Sequence, residues 1–188
     1  MKTPDLVFRG RRLSSDRALV LAAVESLPAA RAAVADGADL VCFPGSASLV
    51  EQARAVFPDL VIGADTADPS VAAACCEAGA DLIVARADLA GVAARYGAGY
   101  AAPAVPSVTG LSVVVDIGEF RAMPSGDVPV LASVAGDGTP GGLALAALAA
   151  SAGVAIIRTK HVRGVRHAAE MAASIAGTRP PAKAVRWE

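Results

Sequence analysis

Apolar residues along this chain gather in short, unbroken runs. Eight recur: ALVLAAV (18–24), ADLVCF (38–43), DLVIGA (59–64), ADLIVA (80–85), GYAAPAV (99–105), LSVVVDI (111–117), VPVLASV (128–134) and VAIIRT (154–159). A strand with one wet face alternates apolar and polar residues, whereas a strand covered on both faces is apolar throughout, as in a parallel sheet flanked by helices. Between the runs lie Ala-rich segments with helical spacing: LPAARAAVADG, SLVEQARAVF, PSVAAACCEAG, DLAGVAARYG, PGGLALAALAASAG and VRGVRHAAEMAASIAG. Pro28, Pro69 and Pro140 stand near their starts, and Gly37, Gly79, Gly97, Gly153 and Gly177 at their ends, the usual asymmetry of helix termini.

One junction nearly repeats itself. VADGADLV, CEAGADLI and ASAGVAII each read as a helix end, a glycine, then a strand, which is the connection a wound α/β fold needs. The links after the fifth and sixth runs, VPSVTG and GEFRAMPSG, are too short and too rich in Pro and Gly for long helices. Eight parallel strands predict a compact TIM (β/α)8 barrel with shortened loops and two reduced helices, smaller than the typical size of about 250 residues. An open doubly wound sheet is the alternative. Residues 1–188 are expected to form one domain, with 1–17 an N-terminal lead and 178–188 a Pro-rich tail.

Composition narrows the partners. Of the 188 residues, 54% are hydrophobic and 19% charged, enough apolar surface for a substantial core. The longest apolar run, LALAALAASAGVAII, is broken by Gly153 and too short to span a bilayer. The N-terminus offers no signal-peptide h-region, so a cytoplasmic protein without a membrane partner is expected. A net charge of −1 and seven aromatic residues provide neither the basic stripe nor the stacking platform of a nucleic-acid binder. A small molecule is the expected partner. Cys42, Cys75 and Cys76 are odd in number and have no histidines at metal-ligand spacing, which predicts reduced structural thiols and no metal site.

In such a barrel the chemistry sits at the carboxyl ends of the strands. Those ends present Glu25, Cys42, Asp65, Arg86, Asp88, Asp116, Glu119, Ser133, Arg158, Lys160 and His161. Asp65 and Asp116 each close an apolar run, and a carboxylate carried inward needs a partner or a ligand N–H. Asp65 could instead cap the next helix, although Asp68 before Pro69 suits that role better. Asp116 could be a turn carboxylate before Gly118. Arg158 at the end of IIRT favours contact with an anion or a ring. Lys160 and His161 open the next loop, where solvation is the ordinary fate, and His167 falls on a helix surface. The Gly-rich AGDGTPGG (135–142) suits either a phosphate seat or an ordinary helix cap.

These residues resemble a known family, dihydropteroate synthase and its pterin-binding relatives. VIGADTADPSVAAACCEAGADLI resembles the family's third-strand signature, Val-Asp-Thr followed by a helix and Ala-Gly-Ala-Asp. LALAALAASAGVAIIRTKHVRGVRHAAEMAASI resembles its last helix, a strand closing on Arg-Val-His-Asp-Val, and the terminal helix. Together with the lead LVFRGRRLSSDRALVL, the likeness covers nearly the whole chain. It implies that Asp65 and Asp116 bind the pterin, that Arg158 meets the pterin ring and pyrophosphate, and that the partner is a small-molecule pterin. Arg158 and Lys160 are the catalytic candidates it leaves. Family members pair as homodimers through their late helices, so a homodimer is implied as well.

Departures from the pattern are as informative. The family's first-strand Asn-Val-Thr-Pro-Asp-Ser-Phe loop, which supplies a metal-linked Asn, is absent, and VLAAV passes directly into ESLPAAR. FPGSAS replaces Gly-Gly-Glu-Ser-Thr, Val84 takes the fourth-strand Asn position, VAGDG replaces the Ser-Arg-Lys motif, and Lys160 stands where the family has a phosphate-binding His. The synthase displaces pyrophosphate from a pterin methyl carbon with p-aminobenzoate, and stabilising the departing charge is the main work. The resemblance therefore implies a degenerate paralogue with weak or no synthase activity; Mg2+ is expected only if the reaction is retained. The alternatives are an active synthase and an unrelated small barrel lyase forming a Schiff base at Lys160.

Overall fold

The structure, a computed structural model, describes residues 5–123 and 126–179. A two-stranded antiparallel hairpin, β1 (Leu6–Phe8) and β2 (Arg11–Leu13), leads the chain. Each of the eight apolar runs then supplies a strand: β3 (Leu19–Ala23), β4 (Leu40–Pro44), β5 (Val61–Asp65), β6 (Leu82–Val84), β7 (Gly99–Ala102), β8 (Val113–Glu119), β9 (Val130–Ser133) and β10 (Ile156–Thr159). They pair in parallel, in chain order, and β10 returns to β3 to close the barrel. The fold is thus a TIM barrel, and the open-sheet alternative is excluded.

Helices α1 (Leu27–Ala35), α2 (Ala47–Val56), α3 (Pro69–Glu77), α4 (Ala90–Tyr96), α5 (Pro140–Ser151) and α6 (Val162–Ala176) pack around it. Among the described residues no helix follows β7 or β8, as the short links predicted. The buried helical stripes are largely alanine, for example Ala30 and Ala33 on α1, Ala146 and Ala149 on α5, and Ala169 and Ala173 on α6. Small side chains let helix and sheet approach closely, which keeps the outer shell thin. Helices α1, α2, α3 and α5 begin on polar caps: Ser26, Ser46, Asp68 and Thr139 each accept a backbone N–H of the first turn. No helix is long and apolar enough to cross a membrane among the described residues.

Strand alternation sorts the side chains into two cores. Leu21, Leu40, Leu82, Leu131 and Ile156 fill the barrel interior, while Val20, Val41, Ile62, Ile83 and Ile157 pack outward against the helices. The N-terminal lead closes the lower opening of the barrel, which the fully buried Phe8 plugs. A Cβ on Gly99 would lie 2.1 Å from the Phe8 ring, so only glycine admits the plug. The hairpin turn places Arg9 and Gly10 at positive φ, and Arg9 is held there by hydrogen bonds to the carbonyls of Cys76 and Ala80, both 2.9 Å. The Pro-rich tail, 178–188, lies outside the described residues from 180 onward.

The repeated Gly-Ala-Asp junctions lock the lower rim. Asp39 accepts a bidentate pair from Arg17 and the Val20 N–H. Asp81, fully buried, binds Arg11, Arg54 and the Ile62 N–H. Each carboxylate thereby ties its own strand to the strand before it and to a guanidinium from outside. In the third junction Ala155 takes the aspartate's place, so no such clamp forms.

Candidate functional site

Alternation carries the site. Asp65 shares the inward phase of Val61 and Gly63, Asp116 that of Val114, and Arg158 that of Ile156. All three side chains therefore rise from the top layer of the lumen. Arg158 spans it: Nη2 donates to Asp116 Oδ2 at 3.0 Å, and Nη1 lies 3.7 Å from Asp65 Oδ2. Asp116 is mostly buried, whereas the Asp65 carboxylate is about half exposed (52%) and turned to open space. Arg158 Nε is buried without a hydrogen-bond partner.

Local backbone explains the aim of Asp116. A register irregularity between Asp116 and Glu119 bulges β8, with Gly118 at positive φ, and a bulge redirects the flanking side chains. Asp116 Oδ1 accepts the Gly118 N–H at 2.9 Å. Asp116 thus makes the turn contact with one oxygen and the Arg158 ion pair with the other. Asp68 caps α3 through the Ser70 and Val71 amides, which leaves Asp65 free of that duty.

A cleft of about 580 Å³ opens over Asp65 and Arg158, walled by Ala23, Val24, Glu25, Cys42, Phe43, Pro44 and Lys160 besides these two, whereas Asp116 lies behind Arg158 and is not part of its wall. Gly63 keeps its floor low, since a Cβ there would meet Cys42 Sγ at 3.1 Å. Cys42 is buried, and desolvation, with the negative charge of Asp65 second, pushes its thiol up to about 12. It is a neutral wall rather than a nucleophile. Cys75 and Cys76 are buried on α3, and all three thiols are free. A smaller crevice of about 270 Å³ lies at the opposite face near Arg17 and the ends of α5 and α6; its walls are largely alanine and the charged strand ends are remote from it.

Lys160 sits on the rim, 71% exposed, with Nζ 3.9 Å from the Glu25 carboxylate. It lacks the burial that activates a Schiff-base amine. His167 is exposed on α6, as expected. In AGDGTPGG, Thr139 caps α5 through the Gly142 N–H at 3.1 Å. Asp137, absent from the sequence-derived set, bridges to β10: its carboxylate accepts the Thr159 hydroxyl at 2.5 Å and the Lys160 N–H at 2.6 Å. An acid between two glycines in a potential anion loop was the available signal. No group of three or more His, Cys, Asp and Glu side chains could hold a metal ion among the described residues, and Val24–Glu25–Ser26 runs into α1 where the family's metal-linked loop would begin.

Chemically, the mouth offers carboxylate acceptors to a flat, N–H-rich edge and a planar cation to a ring face. No family model matches the chain. It is 27% identical to inactive dihydropteroate synthase 2 of Mycobacterium bovis and of Mycobacterium tuberculosis, over 94% of this chain and 89% of those proteins. That alignment runs over 282 positions against 188 residues here, so the relatives carry insertions this chain lacks. Among solved structures, Mycobacterium tuberculosis Rv1207 matches with a TM-score of 0.80 and 29% identity, over 95% of this chain and 99% of that one. Yersinia pestis dihydropteroate synthase with a pterine-sulfa conjugate matches with a TM-score of 0.76 and 18% identity, over 93% and 100%, a likeness of fold alone. Barrel, strand-end residues, missing loops and relatives point the same way: the chain is similar to a degenerate, inactive member of the dihydropteroate synthase family.

Proposed function

We propose that this protein binds a pterin at the barrel mouth and does not carry out the synthase reaction. The observation that carries the reading is Arg158 bridging Asp65 and Asp116 at the mouth, with Asp65 and Arg158 lining an open cleft. In this arrangement the two carboxylates accept hydrogen bonds from the amino-pyrimidine edge, and the guanidinium lies against the ring. The pterine-sulfa conjugate of the Yersinia pestis enzyme and the pteroic acid of the Coxiella burnetii enzyme are ligands of this chemical class.

Loss of catalysis follows from what surrounds the floor. The loop after β9 carries no lysine, Lys160 is tied to Glu25 at the rim, and the first loop is missing. Little positive charge is left to hold a departing pyrophosphate. Roles for Arg158 and Lys160 as catalytic groups belong to the competing reading, an active synthase. Titration calorimetry with a pterin, beside a steady-state assay with pyrophosphorylated pterin and p-aminobenzoate, separates the two. Saturable pterin binding that Asp65→Asn and Asp116→Asn each abolish, with turnover at background, supports the proposal; turnover above background restores the enzyme, and no heat of pterin binding removes both. The reading extends to a homodimer through α5 and α6 and to the cytoplasm, where three unpaired buried thiols stay reduced.

A further inference from the structure

TIM barrels often seat phosphate between the loops that follow their seventh and eighth strands, on backbone N–H groups at a helix start. Here those strands are β9 and β10, and a carboxylate of the chain itself bridges their loops. Asp137, from the loop after β9, sets one carboxylate oxygen on the Thr159 hydroxyl at 2.5 Å and the other on the Lys160 N–H at 2.6 Å. Three neighbouring donors are committed too, while the start of α6 carries no side-chain cap. The His161 N–H goes to Thr159 Oγ1 at 2.8 Å, the Gly142 N–H to Thr139 Oγ1, and the Thr139 N–H to the Gly136 carbonyl. The His161 ring closes over Gly138, where a Cβ would lie 2.3 Å from Nε2.

Charge points the same way. On the β10 side of the mouth the carboxylates of Glu25, Asp65, Asp116 and Asp137 face the cations Arg158 and Lys160, which are themselves paired to Asp116 and Glu25. On the far side Arg121 is paired with Glu119 and Arg86 is followed by Asp88, so no excess of cations is gained there. A ligand bringing a pyrophosphate to the loop after β9 would meet a carboxylate there.

We infer that Asp137 is a built-in anion that fills the phosphate seat, so that the cleft selects an uncharged pterin alcohol over its pyrophosphate ester. This rests on the pterin reading for the identity of the ring, but the exclusion of phosphate stands on Asp137 alone.

The experiment is calorimetry on the full chain with three probes: 6-hydroxymethylpterin, its pyrophosphate ester, and inorganic pyrophosphate. Wild type is expected to bind the alcohol at least about tenfold more tightly than the ester, a modest demand for a like charge at contact distance, and to show no saturable binding of inorganic pyrophosphate. Asp137→Ala, which empties the seat, is expected to gain saturable pyrophosphate binding. Asp137→Asn, which keeps an acceptor for the Lys160 N–H, is expected to narrow the alcohol-to-ester gap. Ester binding as tight as the alcohol, or pyrophosphate binding by wild type, overturns the inference whether or not either variant folds; so does a folded Asp137→Ala variant with no gain. If wild type binds neither pterin, the pterin reading falls, and the pyrophosphate comparison still decides the role of Asp137.

Discussion

Arg158 is the cation between two carboxylates that face the same lumen, and removing it leaves Asp116 mostly buried with, among the described residues, only the Gly118 N–H as a partner. Stranding a charge is costlier than losing the pair's attraction. Arg158→Met, which keeps the bulk of the stem, is expected to destabilise the fold by about 1–3 kcal/mol at neutral pH and to lose most of that penalty when Asp116→Asn is added. Urea titration of the two variants and the double measures it, and additive losses would show that the residues do not depend on one another. Asp65, Asp116 and Arg158 were legible in the sequence because each charge ends an apolar strand, and alternation then dictates its direction. Asp137 was not, because its partners Thr159 and Lys160 lie more than twenty residues away across a helix, and no local pattern encodes that distance.

Single elements divide in the same manner. Every barrel strand overlaps its apolar run because a strand buried on both faces has a local signature. The hairpin of β1 and β2 lay hidden in the lead, since strands of three residues, LVF and RRL, are too short to carry one; its reason is the long-range fit of Phe8 against Gly99. Helix α6 makes a testable case of how one element is fastened. Glu170 accepts from Arg166 one turn earlier and is also paired with Arg179 beyond the helix end, both at 2.6 Å. Desolvation pushes its carboxyl up, but the hydrogen bonds and charges of Arg166 and Arg179 outweigh this and hold it down at about 2, below its ordinary 4.5. A folded-state value below the unfolded one stabilises the protein above pH 4.5, and that stabilisation drains away as pH falls from there towards 2. The melting temperature of Glu170→Gln should therefore lie below wild type at pH 7 and converge on it by about pH 2–3. A gap that stays constant across that range would mean the carboxylate's charge contributes nothing.

At the scale of the molecule the two barrel ends differ in how fully their polar groups are paired, and the fold generally places stability at the lower end and chemistry at the upper. The lower rim is closed by Phe8 and by the Asp39 and Asp81 clamps, in which every carboxylate oxygen has a donor. At the upper rim Asp65 is half open and Arg158 Nε has no partner, the kind of incompletely satisfied polar surface that a ligand completes. The side wall shows a third departure from a self-contained globule. Helices α5 and α6 pack together, yet leave Leu148, Met171 and Ile175 exposed, Ile175 at 81%. Exposed large apolar side chains on a pair of packed helices are the mark of a contact surface, and alanine-rich helices permit close helix approach. A second copy of this chain meeting the same face would bury those residues symmetrically. Light scattering at micromolar protein should then give twice the mass of the chain, and Ile175→Asp should give the monomer with its far-UV circular dichroism unchanged, because the site of substitution faces water within one subunit. A wild-type monomer at all concentrations would refute the dimer, and an Ile175→Asp variant that stays dimeric would move the interface to another face.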